Sequence, residues 1–200
     1  MFSVFEAYIT DKGDFTSSEL KMIRALSVTK KIRKRQFILQ EGDVCRHKTF
    51  ICKGLLKSYM RKDDGTEYIM KFSPENSWVV DPPSYHKQLP SKYNIDALED
   101  TDIIQWQRAD FEELLATIPS LKSFSETLIN NSNEANMERI LMNISYTSEE
   151  KYQAFVESCP DIFQRVPLHM VASFLGVSRE TLSRIRHAQL QQVKNNDLIS

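Results

Sequence analysis

Cysteine is scarce in this 200-residue chain, and its three occurrences are scattered. Cys45, Cys52 and Cys159 are odd in number and widely spaced, so we expect no disulfide framework and a reducing, cytoplasmic compartment. No apolar run approaches the roughly 18 residues of a membrane-spanning helix. The first 15 residues also lack the basic segment and long apolar run of a secretion signal. These absences predict a cytoplasmic protein with no membrane partner.

Metal-binding and catalytic patterns are missing as well. The four histidines show no H-x-H spacing followed by a carboxylate, as a metal-binding β-roll of the cupin type would have. Three cysteines cannot supply the four thiolates of an iron–sulfur cluster. A lone loop histidine such as His47 or His86 is more often polar surface than a haem ligand. We therefore expect no metal, no cofactor and no enzymatic activity.

The charge of the chain is unevenly distributed. The formal net charge is −1, but residues 164–194 contain five lysines or arginines and one acid. A basic block at one end of a mildly acidic protein indicates contact with a polyanion. The hydrophobic content of 41% is ordinary for a globular protein, and 200 residues fit two modest domains.

Hydrophobic periodicity changes twice along the chain. Residues 1–27 read as helical, with Thr16 or Ser17 as a cap. Between residues 28 and 107, eight short β-branched or aromatic runs alternate with turn signals, the clearest of which is Asp64-Gly65. This density of short strands predicts an antiparallel β-roll or jelly roll.

A run of basic residues and a segment with three prolines stand out within this region. The run Lys30, Lys31, Arg33, Lys34 and Arg35 could contact nucleic acid, but a solvated strand edge protected by lysine explains it more simply. Three prolines in residues 81–92 predict an ordered loop rather than a strand. Long loops within a β-domain are disproportionately functional.

The period becomes helical again after residue 109. A short helix near Phe111 ends at Pro119, and a long helix is predicted from Ser120 to Ser145. Its apolar stripe is too long for a lone surface helix, so part of it is expected to meet a second copy of the chain. The polar stretch 130–136 is either a solvated turn or a surface that faces a ligand or a polar dimer contact. A further helix is predicted to begin with Ser148 as its cap and to end at Cys159-Pro160.

Residues 166–191 form the pattern of a helix-turn-helix. Pro167 stands where a helix begins, and Gly176 suits the turn because it lacks a Cβ atom. Ser178 is a suitable cap for the second helix. The inward positions are predicted to be Val171, Ala172, Leu175, Leu182 and Ile185. An ordinary helical hairpin with a charged outer face is the alternative, but this combination of small and apolar residues favours the DNA-binding motif.

The polar residues of the second helix suit the major groove. Arginine can donate two hydrogen bonds to guanine, and glutamate can accept one from cytosine. Ser178 and Arg179, near the helix start, could equally hold phosphate groups. The candidate DNA-binding residues are Ser178, Arg179, Glu180, Thr181, Ser183, Arg184 and His187.

The segment GVSRETLSRI at residues 176–185 resembles the recognition segment of the Crp/Fnr superfamily, which carries G-x-S-R-E-T-x-x-R. The resemblance is specific in the last 35 residues and architectural elsewhere. It implies an α+β protein with an antiparallel β-roll sensor (residues 1–118), a dimerisation helix (119–146) and a helix-turn-helix domain (147–200). Because the chain reaches Ser200 about where a C-terminal wing would start, the wing is expected to be absent or truncated.

The same resemblance implies partners and roles. It implies a homodimer on a palindromic double-stranded DNA operator, with RNA polymerase as a further candidate partner. In the family, the residues matching Arg179, Glu180 and Arg184 contact bases or phosphate. The alternative function is a small-molecule-binding or cupin-like β-roll whose C-terminal helices serve packing or protein recruitment.

The sensor departs from the family members that bind cyclic nucleotides. Those relatives carry a Gly-Glu pair for the ribose and an arginine for the cyclic phosphate. Here the Gly-Glu pair is missing, Ser91 stands about where the arginine is expected, and Tyr93 replaces a small residue. Lys92 is a poor substitute for the planar arginine group. We therefore expect no response to cyclic AMP, and either an unknown small-molecule effector or none. The candidate effector-pocket residues are Asp81, Ser91, Lys92, Tyr93, Asn130 and Asn133.

Overall fold

The structure is a computed structural model that describes residues 1–197, with the side chains of residues 1–189 and 191. It divides into two compact units. The first comprises Met1–Thr66 and Met70–Asn133, and the second comprises Glu67–Ile69 and the chain from Glu134 onward. Within the described range, no helix combines the length and the apolar character needed to cross a bilayer. The domain boundaries given above stay a prediction.

Two helices open the first unit, α1 (Phe2–Lys12) and α2 (Ser17–Ala25). Thr16 caps α2 through a capping box, because its hydroxyl accepts the Glu19 amide at 3.3 Å while the Glu19 carboxylate accepts the Thr16 amide at 2.7 Å. The predicted helical start is confirmed, with Thr16 as the cap.

Eight strands follow and form two antiparallel sheets. The orders are β1-β8-β3-β6 and β2-β7-β4-β5. The strands are β1 (Ser27–Ile32), β2 (Phe37–Leu39), β3 (His47–Lys53), β4 (Leu56–Arg61), β5 (Glu67–Ser73), β6 (Trp78–Val79), β7 (Asn94–Ala97) and β8 (Thr101–Gln107). The predicted β-roll is confirmed, and each predicted run overlaps one strand. The basic run starts on β1, at a sheet edge, with all five side chains exposed, as the solvated-edge interpretation requires.

Two apolar clusters hold this unit together. Between the sheets, Ile51 and Ile103 of one sheet pack with Leu56 and Ile95 of the other. On the opposite face of the first sheet, a cluster of aromatic rings joins the strands to the neighbouring helices. Phe5 lies 5.0 Å from Trp106, measured between ring centroids, and the Trp106 indole N–H donates to the Ile23 carbonyl at 2.8 Å. Each buried aromatic ring removes roughly 150–250 Å² from water, so this cluster is a major source of stability.

The prolines of residues 81–92 do not keep the whole segment irregular. Residues Pro82–Lys87 form the short helix α3, so the predicted loop is wrong for these six residues. Pro82 and Pro83 occupy the first helical positions, where a missing N–H costs no hydrogen bond. Asp81 caps the helix by accepting the Ser84 amide at 3.4 Å, and Gln88 ends it in the left-handed region.

Helices make up the rest of the chain. They are α4 (Arg108–Thr117), α5 (Pro119–Ser145), α6 (Ser148–Ser158), α7 (Pro160–Arg165), α8 (Leu168–Leu175) and α9 (Arg179–Asp197). The predicted cap Ser148 is wrong by one residue, because the Thr147 hydroxyl accepts the Glu150 amide. Helix α7 was not predicted, since Pro160 both follows one helix and starts the next. Helix α9 continues to Asp197, and residues 198–200 lie outside the described residues, so the absent or truncated wing stays a prediction.

Candidate nucleic-acid interface

Helices α8 and α9 are joined by a tight turn at Gly176. Gly176 has φ +68°, a left-handed conformation that residues with a Cβ atom rarely adopt. The turn is closed by the Val177 amide, which donates to the Ala172 carbonyl at 3.1 Å. This arrangement at the end of α8 satisfies a carbonyl group that the helix would otherwise leave unbonded. The predicted role of Gly176 is confirmed.

Ser178 fixes the start of α9. Its hydroxyl oxygen accepts the Thr181 amide at 3.0 Å and donates to the Thr181 hydroxyl at 3.0 Å. The predicted cap is therefore confirmed. Because the cap holds the first turn in place, it also fixes the direction in which the next residues project.

The inner face of the motif packs as expected. Val171, Ala172 and Leu175 of α8 and Leu182 and Ile185 of α9 are all buried. This packing turns the remaining side of α9 toward solvent.

The outer face of α9 exposes most of the candidate DNA-binding residues. Arg179, Glu180, Arg184 and His187 are exposed, and the candidates Thr181 and Ser183 are half-buried. Glu180, Arg184 and His187 follow one another at spacings of four and three residues, which places them on one face. An acceptor and a cationic donor therefore stand side by side on a helix that is free to approach a partner.

Glu180 is held in its ionised form. Hydrogen bonding from its own backbone amide, then from the Ser178 side chain, and the nearby charge of Arg179 lower the pKa of Glu180 below its ordinary value. An ionised carboxylate can only accept hydrogen bonds. At neutral pH this side chain therefore suits a donor such as a cytosine amino group.

Arg139 is a residue of this region that the sequence did not indicate. It lies on α5, and its guanidinium donates to the Phe174 carbonyl at 3.1 Å and stacks 4.1 Å from the centre of the Phe174 ring. Burial lowers the pKa of Arg139. The long helix is thus bonded to the last turn of α8. Nothing in the sequence distinguishes Arg139 from the other charged residues of α5.

The candidate effector residues do not form one pocket. Asp81 and Ser91 are 4% and 3% exposed, and the Ser91 hydroxyl donates to the Asp81 carboxylate at 2.6 Å. The Tyr93 amide also donates to this hydroxyl at 3.0 Å. Lys92 is exposed, as are Asn130 and Asn133 on α5. Asp81 and Ser91 are therefore bonded to each other inside the β-roll.

A small cavity does lie inside the β-roll, and it is lined by other residues. Its volume is about 40 Å³, whereas pockets for drug-sized ligands measure roughly 300–1,000 Å³. Gln105 and Thr49 bond to each other across its wall at 3.0 Å. The lining residues are Ile38, Leu39, Val44, Cys45, Arg46, His47, Thr49, Val79, Val80, Ile95 and Gln105. The strand alternation of β3 and β8 could have indicated His47, Thr49 and Gln105 as inward positions.

A β-roll, a long helix and an exposed helix-turn-helix in one chain define the architecture of a DNA-binding regulator with its own sensor domain. The profile of the cyclic nucleotide-binding domain matches residues 29–118. Electron transport regulator A of Shewanella oneidensis is 26% identical over 167 residues, or 78% of this chain and 66% of that protein. Regulatory protein HlyX of Actinobacillus pleuropneumoniae is 25% identical over 187 residues, which cover 86% of this chain and 76% of that protein.

Solved structures share the fold. A transcriptional regulator of the crp/fnr family from Eubacterium rectale has a TM-score of 0.68 and 18% identity, over 89% of this chain and 85% of that one. Sequence motif, domain match, relatives and fold agree. In these respects the chain is similar to the Crp/Fnr superfamily of transcription regulators.

Proposed function

We propose that this chain is a homodimeric, sequence-specific DNA-binding regulator whose helix α9 reads the major groove and which does not respond to cyclic AMP. The observation that carries the proposal is the outer face of α9, where exposed Glu180 and Arg184 project from a capped helix whose Leu182 and Ile185 are buried. Glu180 would accept from cytosine, and Arg184 would donate to guanine. Under this proposal the protein acts in the cytoplasm, on transcription by RNA polymerase.

The remaining candidates would have positioning roles. Ser178 and Thr181 hold the start of α9, and Arg179 beside them would contact a phosphate group. Ser183 and His187 continue the same exposed side and would approach the groove edge. Phosphate contacts orient the helix on the duplex, whereas base contacts select the sequence.

The exposed side of α5 supports the dimer. Met137, Ile140, Leu141 and Ile144 are 66%, 52%, 62% and 79% exposed. Such a contiguous apolar stripe on a helix is typical of a surface that another helix covers. In a twofold dimer the two α9 helices would enter successive major grooves, about 34 Å apart, which implies a palindromic operator.

The polar candidates Asn130 and Asn133 extend this stripe. Residues 130, 133, 137, 140 and 144 repeat at spacings of three and four, the pattern of a coiled-coil seam. Asparagine within such a seam fixes the register of the two helices at some cost in stability. We therefore assign these two residues to a polar dimer contact rather than to an effector pocket.

Two features support the lack of a cyclic AMP response. The Ser91 hydroxyl and the Asp81 carboxylate bond to each other, and the cavity in the β-roll is far below the volume of a nucleotide. Any effector would be a different small molecule.

The test is a binding-site selection followed by affinity measurements. The full chain selects duplexes from a random pool, and fluorescence anisotropy then measures the Kd for the selected and for scrambled DNA at several salt concentrations. We expect a palindromic consensus, and an affinity that falls steeply with salt because phosphate contacts release counterions. Arg184→Ala and Glu180→Ala should each cost about 1–3 kcal/mol on selected DNA, with relaxed preference at one base pair per half-site.

The matched control is Arg33→Ala, which removes the same charge from the exposed edge of the β-roll. Its affinity should stay close to that of the unmodified chain. Loss of binding in this variant alone would assign nucleic-acid contact to the basic strand instead. Absence of DNA binding even at low salt would favour a small-molecule-binding β-roll with packing helices.

A further inference from the structure

Strand β5 lies at the edge of its sheet, because the strand order is β2-β7-β4-β5. On the outer side of an edge strand, the backbone N–H and C=O groups have no neighbouring strand to pair with. The first three residues of β5, Glu67–Ile69, belong to the second compact unit, whereas the strand continues in the first unit from Met70. Strand β5 is therefore one continuous segment shared by the β-roll and by the unit that contains the helix-turn-helix.

Side chains of the second unit occupy the hydrogen-bonding positions of this edge. The Ser173 hydroxyl, on α8, accepts the Ile69 amide at 3.0 Å and donates to the Glu67 carbonyl at 2.6 Å. The Arg139 guanidinium, on α5, donates to the Ile69 carbonyl at 3.4 Å. Both backbone groups of Ile69 are thus bonded to side chains, in the way that a neighbouring strand would bond them.

These bonds hold α8 on the side that its partner helix leaves uncovered. Ser173 is half-buried and lies about 150° around α8 from the centre of the inner face that packs on α9. Arg139 also donates to the carbonyl of the next residue, Phe174, at 3.1 Å. Helix α9 is packed on α8 through buried Leu182 and Ile185. Because the two helices share one apolar core, the bonds that hold α8 also set the direction of α9.

We infer that Ser173 and Arg139 are positioning residues for DNA binding, which hold α8 on the edge of β5 and so set the half-site spacing that the dimer accepts. The inference rests on the proposed function, in which Glu180 and Arg184 read the bases of each half-site. The distance and rotation between two half-sites depend instead on how firmly each α9 is held. A loosened helix pair must give up orientational freedom to enter two grooves at once. It therefore binds the preferred operator more weakly and tolerates other spacings.

The experiment compares the unmodified chain with Ser173→Ala and Arg139→Met on three duplexes. These are the palindrome that the unmodified chain selects, the same palindrome with one base pair inserted at its centre, and a single half-site. The insertion moves the half-sites apart by about 3.4 Å and rotates them by about 35°. It should weaken binding of the unmodified chain by about thirtyfold or more, but binding of each variant by less than about fivefold.

The other two duplexes separate positioning from base reading. On the uninterrupted palindrome each variant should bind about tenfold more weakly than the unmodified chain, because one orienting contact is lost. On the single half-site each variant should bind as the unmodified chain does, because the base contacts of α9 are retained. Fluorescence anisotropy at one fixed salt concentration measures all of these affinities.

Amide hydrogen exchange, measured by NMR, tests the bonds without DNA. The Ile69 amide should exchange about fivefold faster or more in Ser173→Ala, because its acceptor is removed. The matched control is Ser158→Ala, since the Ser158 hydroxyl donates to the Ala154 carbonyl within its own helix, α6. This control should leave both the Ile69 exchange rate and the spacing preference unchanged.

Unchanged exchange at Ile69 in Ser173→Ala, or an unchanged spacing preference in both variants, would overturn the inference and leave the proposed function intact. Weaker binding of both variants to the single half-site would also contradict it, because that result would locate the damage in the helix-turn-helix itself. An unmodified chain that selects no duplex would instead overturn the proposed function, and the spacing role with it.

Discussion

At the scale of single residues, Gly54 is required both by its backbone conformation and by the lack of room for a Cβ atom. It connects β3 and β4 with φ +102°, and a Cβ atom placed there would lie 2.7 Å from the Thr101 Cα atom. A backbone atom cannot move away as the end of a flexible side chain can. Gly65, in the turn between β4 and β5, also has a positive φ, of +84°, but a Cβ atom there would meet no atom within 4 Å.

We predict that Gly54→Ala lowers the free energy of unfolding by roughly 2–5 kcal/mol, because steric overlap adds to backbone strain. Gly65→Ala should cost about 1–2 kcal/mol, since strain alone applies. Urea titrations followed by circular dichroism measure both values. Similar losses in the two variants would mean that the contact with Thr101 relaxes without cost.

The ionisation state of Glu180 determines which hydrogen-bonding groups α9 can bind. Glu180 has its pKa lowered by local hydrogen bonds and by Arg179, so acceptance from a base donor is available throughout the neutral range. Its stabilising contacts are lost as the pH falls through this lowered pKa. Protonation of Glu180 should therefore not weaken specific binding until the pH is well below 6. Anisotropy titrations of the DNA complex against pH measure this, with Glu180→Gln as the control.

At the scale of elements, α5 carries the apolar surface that implies a second copy. Its first turns are buried through Leu121 and Phe124, whereas Ile140 and Ile144 near its end are more than half exposed. A single helix cannot leave such a stripe uncovered without a cost in solubility. The dimer proposal therefore concerns the second half of this element.

We predict that Ile140→Glu gives a chain that sediments as a monomer at micromolar concentration, because a carboxylate in the seam would be desolvated without a partner, at a cost of about 3–5 kcal/mol. Ser132→Glu adds the same charge at an exposed position about 130° around the helix from the centre of the stripe. That control should keep the mass of the unmodified chain. Dimeric Ile140→Glu would locate the interface elsewhere.

At the scale of the whole molecule, a ligand that binds only the folded protein must raise its unfolding midpoint. The Ser91 hydroxyl is bonded to the Asp81 carboxylate, and the cavity inside the β-roll is far smaller than a nucleotide. We predict no shift in the thermal midpoint with 1 mM cyclic AMP. A Kd of 10 µM would instead stabilise the fold by about 2.7 kcal/mol, and so raise the midpoint by roughly 5 °C or more. Such a rise would contradict the proposed loss of the cyclic AMP response.

Local signals in the sequence were sufficient to predict most of the secondary structure and the helix-turn-helix. Strand alternation identified all eight strands, and Gly176, Ser178 and the inward apolar positions identified the helix-turn-helix, because turn geometry, capping and periodicity depend on neighbours in the chain. The same local signals misled at residues 82–87 and missed α7, since proline that breaks one element can also begin a helix.

Contacts between distant parts of the chain were decided by the tertiary structure. The pairing of Asp81 with Ser91 and of Arg139 with the Phe174 carbonyl depends on how loops and helices pack, and spacing in sequence carries no record of it. The sequence by itself determined the helix-turn-helix motif, because that motif is one continuous segment. The tertiary structure decided which polar groups of the β-roll are buried and bonded to each other, because burial and partners arise only when separate segments meet.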